Sequence, residues 1–112
     1  LYQKEKEFKL AVIDQYRGIL TVLVEFDVDP LDSEENVAHI KSFLDNVVRN
    51  QPGFISANLH TSLDKRKIIN YAQWKNEADY QNFLNNIEVQ KAGEKVLSLN
   101  PKSVLMKVAF VS

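Results

Sequence analysis

The chain has no cysteine, and its 112 residues include only three glycines, three prolines, two histidines and a single tryptophan and methionine. Without cysteine there is no disulfide, no thiolate nucleophile and no cysteine-based zinc or iron–sulfur site. With so few histidines and no phosphate-cradling glycine loop, the expectation is a protein with no metal, flavin or haem cofactor. The scarcity of glycine and proline excludes collagen-like and linker architectures. No apolar run approaches the roughly 20 residues of a membrane span, so no membrane partner is expected. An excess of one charge is missing too: 14 basic against 15 acidic residues leave −1. With no basic block, a nucleic-acid partner is not expected either. Residues 1–18 carry neither an uninterrupted apolar stretch nor an A-x-A-like cleavage site. With the missing cysteine, this makes a reducing cytoplasm the expected location.

What remains is ordinary globular material, 45% hydrophobic and 26% charged, long enough for one domain. Residues 1–18 read as an N-terminal extension and 19–112 as that domain. The first strand signal is ILTVLVEFDV at 19–28, rich in β-branched residues. One parity, from Leu20 to Val28, is wholly apolar, and Pro30 stops the strand. A helix follows, with Asp32 expected to cap it and Glu35 to complete a capping box. Val37, Ile40, Leu44, Val47 and Val48 form its apolar stripe, broadened by Phe43. Pro52-Gly53 ends this region.

Residues 54–63 alternate as a second strand, with Ile55, Ala57, Leu59 and Leu63 opposite Phe54, Ser56, Asn58 and His60. A short turn at Asp64-Lys65 leads into a third strand, 66–74, on which Ile68, Asn70, Ala72 and Trp74 share one face. Asn76 is placed to cap a second helix with Tyr80, Phe83, Leu84 and Ile87 on its stripe. That helix extends, bent or broken near Gly93, to Asn100-Pro101. Residues 103–111 read as a last strand. The order β-α-β-β-α-β is the split βαβ arrangement of an α+β ferredoxin-like fold. It predicts an antiparallel four-stranded sheet of order 4-1-3-2, with the first and third strands central and parallel to each other. Two helices cover only one face of such a sheet, yet both parities of the first and last strands carry apolar residues. A homodimer joined through sheet faces is therefore expected, with cover by residues 1–18 as the alternative.

The segment 51–74, QPGFISANLHTSLDKRKIINYAQW, resembles the antibiotic biosynthesis monooxygenase domain family, whose members form dimeric α+β barrels. Gln51-Pro52-Gly53-Phe54, the SANLH strand at 56–60, Ser62, Asp64 and the Asn70-Tyr71-Ala72-Gln73-Trp74 run carry the likeness, followed by Tyr80 and Phe83. The resemblance implies oxidation of a small aromatic, phenolic or quinol-like substrate by O2 without a cofactor. It also implies catalytic roles for Asn70, Trp74 and Tyr80. On that reading Asn70 donates to a carbonyl or phenolate oxygen, and Trp74 stacks on the ring and donates from its indole nitrogen. Tyr80 exchanges a proton or a hydrogen bond. Ala72, small and between Asn70 and Trp74, leaves room for a flat ring, and His60 is a minor candidate base in substrate binding. The family's arginine falls near Glu94 here, and residues 33–50 hold no counterpart of its first-helix tyrosine. Haem degradation, found in the same superfamily, is disfavoured: the first strand lacks asparagine and position 84, where an axial histidine is expected, is leucine. The acidic stretch from Glu25 to Glu35 contains Pro30 and no glycine, so it reads as capping and solubility rather than a calcium loop. A non-catalytic, ligand-holding dimer of the same fold is the alternative function.

Overall fold

The computed structural model describes residues 10–112. Four strands, β1 (Leu20–Asp27), β2 (Phe54–Thr61), β3 (Lys67–Trp74) and β4 (Lys102–Met106), form one sheet in the order β2-β3-β1-β4. This is the expected order read from its other edge. One expectation is corrected: β1 and β3 run antiparallel, with Leu20 opposite Trp74 and Phe26 opposite Ile68. The right-handed crossover through the first helix makes β2 parallel to β1, and the tight hairpin then reverses β3 against both.

Helix α1 (Ser33–Asn46) is entered through a 3-10 turn, Pro30–Asp32. The expected capping box does not form. Asp32 occupies the N-cap position with no side-chain cap bond, and Asp29 instead accepts from the Leu31 amide at 2.9 Å. Proline at the first position of the turn favours this earlier start, because its fixed φ suits a helical entry. The stripe is as expected in α1 at Ile40, while Val48 reaches the core from a following 3-10 turn, Val48–Asn50.

The hairpin turn is held by Asp64, whose Oδ1 accepts from Ser62 Oγ at 2.6 Å and from the Arg66 amide at 3.0 Å. These two bonds hold the Asp64 carboxyl below its ordinary pKa. After β3 the helical stretch is broken into α2 (Glu77–Leu84), α3 (Ile87–Ala92) and α4 (Glu94–Leu97). Asn76 caps α2 as expected, accepting from the Asp79 amide at 2.8 Å, and Asn86 caps α3 by accepting from Glu88 and Val89. Gly93 is the joint before α4. A Cβ there would lie 2.6 Å from Phe43 Cζ, so its bare backbone is what seats the Phe43 ring. Gly53 has φ +83°, and a Cβ on it would meet Asp79 Cβ at 2.5 Å. Only glycine lets the turn before β2 pass so close to α2.

The helices cover the face of the sheet that carries Val22, Phe26, Ile68, Asn70, Ala72 and Trp74, all buried. A register shift between Phe54 and Ser56 corrects the alternation expected for β2. The extra residue turns Phe54 to the helix face, opposite Trp74, while Ser56, Asn58 and His60 face away. The other face is polar at its centre. Ser56 Oγ donates to Gln73 Oε1 at 2.7 Å, and Gln73 Nε2 donates to the Val12 carbonyl at 2.8 Å. Residues near Val12 thus lie over this face, and Gln15 Oε1 accepts from the Val111 amide near the C-terminus. They leave apolar surface open: Val104 is 55% and Met106 36% exposed. The last strand ends at Met106, five residues short of the expected 111, where its partner runs out: Met106 pairs with Thr21, and β1 begins at Leu20.

Candidate active site

Between the helix-facing sheet surface and the helices lies a cavity of about 120 Å³. Val22, Val24 and Phe26 of β1, with Asn70, Ala72 and Trp74 of β3, form its floor. Ile40, Phe43 and Leu44 of α1 and Tyr80 and Phe83 of α2 form its walls, and Leu84, Gln90, Leu97 and Ser103 its more open side. An engineered apolar cavity of about 150 Å³ admits benzene. The space here suits one aromatic ring, with anything larger projecting between the half-exposed Leu84 and Leu97.

Asn70 is 6% exposed, and its Oδ1 accepts from the Asn58 backbone amide at 3.0 Å. A backbone N–H can meet only the oxygen of a side-chain amide, so the orientation of Asn70 is fixed. Its Nδ2 has no protein partner among the described residues. Trp74 is 2% exposed, and its ring is the centre of an aromatic cluster. It stacks on Phe83 with centroids 4.9 Å apart and meets Phe54 and Tyr80 edge-on at 5.7 and 5.6 Å. The indole Nε1 has no protein partner among the described residues either. Among the described residues the one buried side-chain atom sealed off without a partner is Thr21 Oγ1, on the far face. Asn70 Nδ2 and Trp74 Nε1 are therefore unpaired among the described residues but not sealed, and both side chains line the cavity. Tyr80 is buried on α2, and its hydroxyl lies 3.5 Å from Ser103 Oγ on β4.

The structure thus brings Asn70, Ala72, Trp74 and Tyr80 together around one space. It separates His60 from them. His60 pairs with Ile69, not with Asn70, so it projects from the other face, where it is exposed and its Nδ1 lies 2.9 Å from the Asn58 carbonyl. The even-odd count along β3 puts residues 69 and 70 on opposite faces. His39, off the stripe, lies 3.8 Å from Glu35 on the outside of α1. Glu94 opens α4 at the surface and does not line the cavity.

Sequence reasoning missed Ser103 and Gln90. Ser103 has a signal in retrospect, as the polar residue whose parity on β4 is shared by Leu105. Gln90 has none, since only the break between α2 and α3 directs it here. Among the described residues no aspartate, glutamate, histidine, lysine or arginine lines the cavity, and Tyr80 is its one titratable side chain. Its chemistry is therefore that of neutral hydrogen-bond donors set in an apolar wall. Such donors favour an oxygen that carries or develops negative charge, and their effect grows as water is excluded. Among the described residues no group of three or more histidine, aspartate or glutamate side chains is placed to hold a metal ion. No described helix is long and apolar enough to cross a membrane.

Residues 19–95 match the profile of the family described as antibiotic biosynthesis monooxygenase. The tetracenomycin-F1 monooxygenase of Streptomyces glaucescens, a curated relative, is 35% identical over 72 residues. That match covers 64% of this chain and 64% of the relative, so the chain spans a little under two thirds of the relative's length. A monooxygenase from the gene ActVA-Orf6 of Streptomyces coelicolor, solved in complex with the ligand nanaomycin D, matches with a TM-score of 0.74 and 31% identity. The match covers 86% of this chain and 92% of that one. SnoaB of Streptomyces nogalater, a cofactor-independent oxygenase, shares the fold at a TM-score of 0.65 and 20% identity, over 83% of this chain and 95% of its own. With the profile spanning most of its length, the chain belongs to the antibiotic biosynthesis monooxygenase family.

Proposed function

We propose that this protein is a cofactor-independent monooxygenase that oxidises a phenolic or quinol-like aromatic with O2 in the cavity over Asn70. The observation that carries the reading is the tethered amide. Asn58 holds Asn70 Oδ1, and Asn70 Nδ2 is left as a fixed donor in an apolar, uncharged space. Triplet O2 reacts slowly with closed-shell molecules, so the substrate has to react as an electron-rich anion. The anion passes one electron to O2, giving an organic radical and superoxide. Their coupling forms the new C–O bond of a peroxide. At a ring methylene, loss of water then leaves a carbonyl, so CH2 and O2 become C=O and H2O.

The residues act on the anion. Asn70 Nδ2 and Trp74 Nε1 donate to its oxygen, and the Tyr80 hydroxyl is the titratable group in the cavity among the described residues, placed to exchange a proton. With no carboxylate or imidazole lining the space, the substrate proton leaves to water or through Tyr80. The aromatic walls from Phe43, Phe83 and Trp74 exclude water and hold the ring flat.

The test is oxygen uptake by purified protein against a panel of hydroquinones and anthrones, comparing wild type with Asn70→Ala. Substrate-dependent uptake that collapses in the folded variant supports the reading. Ligand binding without uptake across the panel overturns it in favour of a non-catalytic binding protein, the reading that a cavity with no carboxylate or imidazole also permits. The proposal includes a homodimer through the open sheet face, supported by the exposed apolar residues Val104 and Met106, which pair with Leu23 and Thr21 on that face. A stable monomer in sedimentation at micromolar concentration rejects it.

A further inference from the structure

Asn70, Trp74 and Tyr80 are almost fully enclosed, so an aromatic ring reaches them only if a wall of the cavity moves. The walls are not held alike. The floor is the middle of the sheet, where β1 and β3 are each paired on both sides. Helix α1 has fourteen residues and buries Ile40, and Phe83 of α2 stacks on Trp74. Helix α4 carries Val96, which packs with Phe26, Ile40 and Ile68, and just before it Gly93 seats the Phe43 ring. Helix α3 has only six residues, and Val89 is its one buried side chain. Every other buried hydrophobic side chain among the described residues belongs to one of two packed core clusters, and Val89 belongs to neither. A helix this short has little stability of its own and depends on what it packs against.

Both ends of α3 are places where the chain can turn. Asn86 has an extended backbone, with φ −77° and ψ 114°, and separates α3 from α2. Gly93 stands between α3 and α4. A side-chain bond spans the first break: Gln90 Nε2 donates to the Leu84 carbonyl at 2.8 Å. The acceptor is one of the carbonyls left open where α2 ends. A carbonyl can be met only by the nitrogen of a side-chain amide, so the orientation of Gln90 is fixed. Leu84, Val89 and Gln90 all line the cavity, and the bond therefore ties α3 to the mouth.

We propose that α3 is the gate of the cavity, swinging on Asn86 and Gly93 when Gln90 releases the Leu84 carbonyl, with Gln90 as its latch. Opening breaks one exposed hydrogen bond and the contacts of one valine. The sheet, α1 and the Trp74–Phe83 stack stay in place. Local openings draw on the least stable parts of a fold, and movement of such a part commonly sets access to an enclosed site. This inference rests on reading the cavity as a ligand site and adds to it the route by which a ligand enters.

The experiment pairs ligand-free hydrogen exchange with binding kinetics in wild type and Gln90→Met, an exposed change of similar length that deletes the donor. In the wild type the bonded α3 amides, Gln90 to the Asn86 carbonyl and Gly93 to that of Val89, should exchange by local opening, well ahead of the central strands. In the variant they should exchange roughly fivefold faster, the worth of one hydrogen bond, with β1 and β3 unchanged. Binding of 1-naphthol is followed by the fluorescence of Trp74, the only tryptophan in the chain. Association and dissociation should both speed up by that factor and leave the affinity as it was. Gln90→Lys keeps a donor for a helix-end carbonyl and should restore the wild-type rates. A Gln90 that merely caps α2 would move neither the α3 amides nor the binding rates, and that result overturns the gate. So does α3 exchange as slow as that of β1 and β3. Failure of 1-naphthol to bind folded wild type overturns the ligand-site reading and the gate with it. That failure is told apart from the others because the exchange is measured without ligand.

Discussion

The two faces of the sheet solve opposite problems with the same strands. On the helix-covered face the residues are apolar, with a single buried amide, Asn70, whose oxygen is engaged and whose nitrogen is free. On the open face a polar network is closed on itself, Thr21 Oγ1 alone standing outside it among the described buried side chains: Ser56 bonds Gln73, the half-buried Asn58 bonds Ser56 and the Tyr71 carbonyl through Nδ2, and Gln73 holds Val12. A closed polar network fixes structure, because each member's loss leaves a partner unpaired. An amide left half unpaired beside an empty space is placed for a ligand. The proposed chemistry thus falls on the face with fewer polar groups, and that division can be broken experimentally.

The largest effect is expected at Trp74, where the covered face is both core and proposed site. Trp74→Ala removes the ring that Phe54, Tyr80 and Phe83 pack against and should cost about 3–5 kcal/mol of stability, measured by urea denaturation. Trp74→Phe keeps a ring and deletes the donor. It should lose far less stability but still bind a phenolic ligand more weakly.

Next is Asn70→Ala. If its free nitrogen meets developing charge in a water-poor space, turnover should fall roughly 30- to 1,000-fold, about 2–4 kcal/mol of transition-state stabilisation. The variant also orphans the Asn58 amide, which should cost about 1–3 kcal/mol in folding. Thermal unfolding and oxygen-dependent turnover on the same samples separate the two. Normal turnover per folded molecule would make Asn70 a strand-pairing device and erase the distinction between the faces.

The covered face was legible in the sequence because its period-2 and helical stripes survive intact: Val22, Ile68, Ala72 and Trp74 are buried as the parities require. The strand order was legible too. What escaped depends on single-residue irregularities. The shift at Phe54/Ser56 changes which parity faces the core, and no composition signal marks it. The cap moved from Asp32 to Asp29 because two acids flank Pro30, and proline's fixed φ chose between them. The strand directions are set by the sense of the crossover and the hairpin, and were misread for β1 and β3. Ser103 and Gln90 come to the cavity from β4 and from beyond the break after α2. Neither carries a motif, and only the three-dimensional register places them.

On the open face, Gln73→Leu should act the other way round from Asn70→Ala. It removes the bonds to Ser56 and Val12 from a fully buried position and should cost about 1–3 kcal/mol of stability. Turnover per folded molecule should be unchanged, since Gln73 points away from the cavity. A fall in turnover without unfolding would mean that the two faces are coupled through β3.

The smallest effect belongs to the ion cluster at the far end of the open face. Lys67 Nζ lies 2.9 Å from Glu25 Oε2 and 2.7 Å from Asp27 Oδ1. Hydrogen bonding to Lys67, reinforced by its charge, holds Asp27 below the ordinary value of 3.8. The same contacts, Asp27's first and then Glu25's, hold Lys67 above 10.5. A depressed carboxylate contributes stability that is present above its unfolded pKa and is lost as pH falls through the folded one. A raised ammonium contributes stability that is present below its unfolded pKa and is lost as pH rises through the folded one. The cluster therefore works fully between about pH 4 and pH 10.5 and fades outside both limits. The groups are partly exposed, so solvent and salt screen them and the contribution is small. Lys67→Met should leave turnover at pH 7 untouched. It should flatten the acid limb of a plot of melting temperature against pH, because Asp27 then titrates alike in the folded and unfolded chains. An acid limb as steep in Lys67→Met as in wild type would assign it to other carboxylates, Asp64 first, whose pKa is held down by Ser62 and the Arg66 amide in the hairpin turn.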